Sequence, residues 1–370
     1  MKNLHQIIIL ILLNLLIFLS CKENDTSLII IDIKNTLNRN VTESFKLNDI
    51  SNNIRLIPVE TNDSTLLGDF IIVGTNEEDI VIRDDNLTSY KKAVYFINKN
   101  TGTVSSIIDN WGQGPHDYTR LGDVHLNNLS NTIYISDYSK TNEYTHEGNF
   151  IKSFKNDSIA FFRIFPNGDF AVSYSPLVNN EFALGVYDSL WTQKRKGMPK
   201  VKGEFDMVYF DGIFEFNRDL FYKLAHSDTL YRITIGFDEP YLVHSKGQYR
   251  LPDEIKANRE QRDKYGYRYI QQDFGRLISK YYFLTYYYNE KFHYEIWNIE
   301  NSSLVYKSIF SRDGGMSGVP IVIRGLIIYV WPAYVSNDSI YCIITAEDAI
   351  TLLPELPKDT NQIILELKVY

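Results

Sequence analysis

The chain is poor in cysteine, in positive charge and in catalytic signatures, and each shortage removes a class of protein. Two cysteines in 370 residues cannot staple a disulfide scaffold. Lys and Arg number 38 against 46 Asp and Glu, a net charge of −8, so no broad basic surface is available to neutralise phosphates. Nucleic acid is therefore not an expected partner. There is no Gly-x-Ser-x-Gly elbow, phosphate loop, His-Glu-x-x-His pair or dinucleotide fingerprint. The carboxylate pairs Asp84-Asp85 and Asp253-Glu254 are adjacent, the spacing of solvated charge rather than of a matched acid and base. No catalytic residue, metal or cofactor is assigned. His116, His125, Asp117 and Asp123 have no helical ligand spacing for zinc, and Asp84, Asp85 and Asp137 make only a weak case for calcium.

What the chain does have is apolar and aromatic content: 44% hydrophobic residues, with 27 Tyr and 21 Phe against four Trp. Tyr, Phe, Ile and Val suit pleated, half-buried surfaces, so the composition leans to β structure. Part of the same aromatic set is also suited to stacking on sugars. Met1 to Ser20 carries Lys2 and an apolar run from Ile7 to Leu19. That run has the length of a secretory signal's central region and is short for a bilayer span. Cys21 follows Phe18-Leu19-Ser20, the pattern of a lipobox, so cleavage and acylation at Cys21 are expected. A Cys21–Cys342 disulfide is the alternative, but it would staple a polar tail to an apolar strand. Cys342 reads instead as a small core residue. The polar "KENDTS" at 22–27 resembles the signal that sends lipoproteins to the outer face of the outer membrane, with a periplasm-facing anchor as the alternative.

Residues 21–50 read as a tether, and 51–370 as a succession of short apolar runs separated by turns. Pro166-Asn167-Gly168 is one such turn, with proline presetting φ and Asn-Gly supplying positive φ. Groups of four strands recurring every 40 to 50 residues or so suit the blades of a β-propeller. Five blades are expected at Asp69–Ile108, Gly122–Phe154, Ala160–Arg195, Phe205–His244 and Phe274–Phe310. Trp331–Thr345 supplies two strands of a sixth. Only "QIILELKVY" (362–370) remains for that blade, and "NIRLIPVET" (53–61) is unassigned, so these two segments are expected to pair and close the ring. Residues 245–273 read as a small helical insertion opened by Pro252, and Thr345 as the N-cap of a second short helix. The fold class is thus all-β, a six-bladed β-propeller closed by an N-terminal strand.

The stretch "GQGPHDYTRLGDV", followed by "IYISDY" and "GNFIKSF" and preceded by "IRLIPVET", resembles the six-bladed β-propeller lipoproteins of Bacteroidota, relatives of the NHL and TolB-like propellers. In that family the loop reads Gly-Gln-Gly-Pro-Gly-Glu-Tyr. Gly112, Gln113, Gly114, Pro115 and Tyr118 match, while His116 and Asp117 depart from it. The resemblance implies a propeller on a lipid anchor, and many such proteins lie near glycan-uptake systems, without implying a reaction.

Blade geometry places links between blades on the same face as links between a blade's second and third strands. That rim offers Arg83, Asp84, Trp111, His116, Asp117 and Arg120 from blades one and two. It adds Asp137, Tyr138, Arg312, Asp313, Trp331 and Tyr334 from the rest of the ring. These are the expected ligand-binding residues, and Gly112, Gln113, Gly114, Pro115 and Tyr118 the expected tight corner, its glycines permitting positive φ. The expected partners are the membrane, through Cys21, and a glycan or protein at the rim. The expected role is a binding module in glycan capture. The alternatives are a polysaccharide lyase or hydrolase, or an outer-membrane assembly protein.

Overall fold

The computed structural model describes residues 28–370 apart from 40–41, 43, 63–64, 85–91, 138, 156–158, 175–180, 200–211, 225–226, 257, 312–313, 316–317 and 337. The expected signal segment and Cys21 lie outside the described residues.

Turn chemistry sets the hairpins. Gly102, Gly148 and Gly168 take φ of +74°, +83° and +86°, where a side chain would be strained. The hairpins assemble into antiparallel sheets of four strands. Blade one runs through Phe70–Thr75, Asp79–Asp84, Ala93–Asn98 and Val104–Ile108. Blade two follows with Val124–Asn127, Thr132–Ser136, Lys140–Thr145 and Phe150–Lys155. Blades three and four begin at Ile159–Ile164 and Ile213–Phe216 and end at Gln193–Pro199 and Asp238–His244. Blade five spans Gln271–Ile278 to Ser303–Ser311.

The sixth blade uses both ends of the chain. Tyr334–Ser336, Ser339–Ile344 and Ile363–Val369 are joined by Ser51–Pro58, which pairs antiparallel with the C-terminal strand from Ser51↔Val369 to Pro58↔Ile363. The six first strands touch their neighbours in turn around a closed circle, so they line the axis. Six apolar clusters fill the spaces between adjacent blades, one cluster to each interface. Tyrosines and phenylalanines supply most of the large, fully buried side chains. Most of the aromatic content is thereby absorbed as packing.

Two features depart from expectation. The described residues between 28 and 50 are not a tether. Ile29–Ile31 adds a parallel fifth strand to blade four, paired with Leu242–His244. A short helix at Ile33–Thr36 and a 3₁₀ turn at Leu47–Asp49 follow, with Ile31, Ile33 and Leu47 fully buried. The run "LIIIDI" is apolar enough to repay ordering against the outer strands of blades four and five. Second, a separate hairpin, Val319–Ile323 with Leu326–Val330, lies between blades five and six and packs into their common core. The expected helical insertion is present as two short helices, Asp253–Lys256 and Arg259–Tyr265. The second is capped by Asn258, whose side chain accepts from the Gln261 amide at 3.0 Å. Thr345 caps Ala346–Leu352 as expected, accepting from the Asp348 amide at 3.2 Å. Cys342 is buried in the core of blade six with its thiol free, and burial pushes that thiol far up.

Candidate functional site

The loop between blades one and two is tied to itself and to blade two. The Asp117 carboxylate accepts from the Gly114 amide at 2.8 Å. A Cβ on Gly112 or Gly114 would stand 2.4 or 2.6 Å from that same carboxylate oxygen. Neither glycine takes positive φ. The expected reason for them was wrong: they are small to seat Asp117, not to turn the backbone. Tyr118 is fully buried and its hydroxyl donates to the Lys92 carbonyl at 2.6 Å, with burial raising its pKa far above the usual value. Asp137 accepts from the Thr119 amide at 2.7 Å and hydroxyl at 2.6 Å. Tyr144 donates to the His116 carbonyl at 2.6 Å, and Lys140 to that of Pro115 at 3.0 Å. The His116 ring stacks on Phe150, centroids 4.1 Å apart and 7° from parallel.

The other rim candidates are dispersed. Arg83 donates to the Gly122 carbonyl. Asp84 is buried at a strand end. Trp331 packs edge-on to Phe283 and Tyr294 at 5.5 and 4.9 Å, in the core between blades five and six. Trp111, Gln113 and Arg120 are exposed, and the Trp111 indole donates to the Thr119 carbonyl at 3.1 Å. Tyr138, Arg312 and Asp313 lie outside the described residues. Among the described residues no group of three or more His, Cys, Asp and Glu could hold a metal ion.

Tyr334 is different, because it stands on the inner strand of blade six. Side chains alternate along a strand, and on each inner strand the neighbours of the buried residues face the axis. One or two residues before the end of each inner strand stand Val73, His125, Arg163, Glu215, Arg276 and Tyr334, one per blade. The inner strands bearing them touch in turn around the axis, and Tyr334 lies within electrostatic reach of Arg163, Glu215 and Arg276, as His125 does of Arg163. Burial, opposed by the Tyr334 hydroxyl and reinforced by Arg163, pushes the Arg276 guanidinium down to about 10. Burial raises the Glu215 carboxyl, although Arg163 pulls the other way. His125 is held neutral, first by burial and then by Arg163. Arg163 forms an ion pair with Asp123 at 2.8 Å. Apart from Tyr334, these residues escaped the sequence reading as binding candidates because they are scattered one per blade. Their common signal is only an inner-strand position of the right parity.

A second polar cluster joins blades four and five. Asp273 meets Lys246 at 2.8 Å and Lys223 at 3.1 Å, and it accepts from His244, whose other nitrogen lies 2.9 Å from the Tyr282 hydroxyl. Burial works against the Asp273 carboxylate, yet Lys223 and Lys246 hold it well below the usual range. With Asp228 on Lys246 at 2.8 Å, two lysines face two aspartates. Arg250 adds a further cation on Asp228 at 2.8 Å, and the cluster, buried around Asp273 and more open at Asp228, joins one blade to the next.

A family model, the domain of unknown function DUF4934, matches residues 28–368. The chain belongs to the DUF4934 family. The match begins where the described structure begins, so the N-terminal strand and helix of this DUF4934 chain fall within the family's extent. A protein of Bacteroides fragilis NCTC 9343, described only as a candidate exported protein, has a similar structure. Its TM-score is 0.71 at 17% identity, over 92% of this chain and 99% of that one. A member of the DUF4221 family from Bacteroides vulgatus gives a TM-score of 0.50 at 10% identity, over 87% of this chain and 97% of that one. At these identities the likeness concerns the fold alone. Among curated proteins none matches. No helix of the described residues is long and apolar enough to cross a membrane.

Proposed function

We propose that this DUF4934 chain is a lipid-anchored, extracytoplasmic binding module, held to the outer membrane through Cys21, whose axial channel captures a glycan. The observation that carries the reading is the ring of inner-strand side chains. A rigid closed scaffold brings Tyr334, Arg163, Glu215 and Arg276 to one level of the channel. They combine an aromatic face with donors and acceptors, the chemistry that reads hydroxyl-rich ligands. The rim loops support the scaffold, since Asp117, Tyr118 and Asp137 spend their hydrogen bonds inside the corner between blades. The apolar leader ending in Leu19-Ser20-Cys21 supports the anchor and export.

The test uses mature chain 22–370 on a glycan array, with reducing-end detection in parallel. Binding that is abolished by Tyr334→Ala, with no new reducing ends, is the expected result; turnover of any bound polysaccharide would replace the binding module with an enzyme. For the anchor, full-length protein should fractionate with membranes and Cys21→Ala should not.

A further inference from the structure

Arg276 stands without a counter-ion. Among the described residues no hydrogen bond or ion pair reaches its guanidinium, which lies over the ring of Phe274, 5.5 Å away on the same strand. Other cations of this protein in comparably enclosed settings are matched. Arg195 is held by both carboxylate oxygens of Asp238 at 2.7 and 2.9 Å. Lys246 lies between two aspartates, and Lys307 meets Glu295 and two carbonyls. A guanidinium taken partly out of water without a partner is costly, so its retention at the axis points to a charge supplied from outside.

The surroundings narrow that charge. Arg163 enters the same channel with one guanidinium nitrogen, Nη1, occupied by Asp123 and the Phe162 carbonyl. Among the described residues no hydrogen bond occupies its other N–H groups, which can face a ligand. Tyr334 lies under the influence of both arginines, so an anion beside its hydroxyl is within the field of the two. Glu215, on the blade between those bearing the arginines, is an acceptor and repels a second anion on its side. The channel is therefore polarised, with a cation lacking a partner toward blade five and a carboxylate at blade four.

We infer that the axial channel recognises a saccharide bearing a carboxylate, a uronic acid, with the acid group on Arg276 and ring hydroxyls facing Glu215 and Tyr334. The planar guanidinium matches a carboxylate through two parallel N–H bonds, and the low-dielectric walls strengthen them. This rests on the glycan-binding reading and specifies its ligand.

The experiment titrates oligogalacturonate and its fully methyl-esterified form into mature chain 22–370 by calorimetry. The two probes share the sugar chain and differ in the carboxylate, which the ester replaces with a neutral methyl ester. The acid should bind at least about tenfold more tightly than the ester, the weight of a charge-assisted pair. Arg276→Gln should weaken the acid by at least about tenfold, remove the preference for acid over ester and leave the thermal midpoint near the wild type. Equal binding of acid and ester would overturn the inference while leaving glycan capture standing. Binding of neutral glycans on the array without binding of either uronate would do the same. Failure of every glycan to bind would overturn both. Because the acid–ester comparison is made on the unaltered protein, it decides the matter even if Arg276→Gln does not fold.

Discussion

At Gly114 an added methyl group would stand 2.6 Å from Asp117 Oδ2 and 3.1 Å from its Cγ. Gly114→Ala should therefore destabilise the protein by about 1–3 kcal/mol, the range of small overpacking errors. In an Asp117→Ala background the obstructing carboxylate is gone, and the same substitution should cost far less. A double-mutant cycle by urea denaturation reads the difference directly. Equal costs in the two backgrounds would show that backbone conformation, not Asp117, requires the glycine. The motif was legible as a tight corner between blades, because Gly-x-Gly-Pro admits little else. The purpose of its glycines was not legible, since it depends on where a residue three positions away turns its carboxylate. The same holds for Arg163, Glu215 and Arg276. Their parity is readable only once the register of each inner strand is known, and the register of blade five shifts between Gln271 and Phe274.

Among the elements, the N-terminal strand and helix are the ones that composition concealed. The helix that follows the fifth strand of blade four ends at Thr36, which enters a buried polar centre of blade five. The Thr36 hydroxyl donates to Glu295 at 2.9 Å, Tyr286 donates to the same oxygen at 2.8 Å, and Trp297 donates to the other at 2.9 Å. Lys307 closes the group by donating to the Thr36 and Leu37 carbonyls. Thr36→Val keeps the shape but deprives Glu295 of a donor, with an expected loss of about 1–3 kcal/mol. Thr36→Ser should recover most of that loss. Hydrogen exchange at Ile29–Ile31 should rise in the valine variant, and unchanged protection there would mean that the apolar contacts alone hold the segment. A short apolar run after a polar leader resembles a linker in one dimension. Its partners, Leu242 and Glu295, are hundreds of residues away. The blade hairpins, whose strands and turns are contiguous in sequence, were correspondingly easy to read.

For the molecule as a whole, burial of imidazoles links stability to pH. His293 is stacked on Tyr286 at 4.7 Å, and burial, with Lys307 nearby, pushes it down to about 3; His125 is likewise well below its ordinary value. For a histidine with a folded pKa below the unfolded one, the fold prefers the neutral ring. The contribution is complete above about pH 6.5 and is lost as pH falls, at about 1.4 kcal/mol per pH unit for each such group. Denaturation midpoints should decline between pH 6.5 and 5, and His293→Phe, which keeps the stack, should flatten the decline. An unchanged slope would mean that carboxylates dominate the acid limb. Closure of the ring carries a consequence of another kind. Ser51 finds Val369, and Pro58 finds Ile363, only after nearly the whole chain exists. Contacts of such sequence separation form late and slowly. During synthesis the propeller is consequently an open arc with an unsatisfied edge at each end, and the last seven-residue strand is the latch. Any termination short of Ile363 leaves Ser51–Pro58 and Ser339–Ile344 both without the strand they share, two bare edges that can take a strand from another molecule.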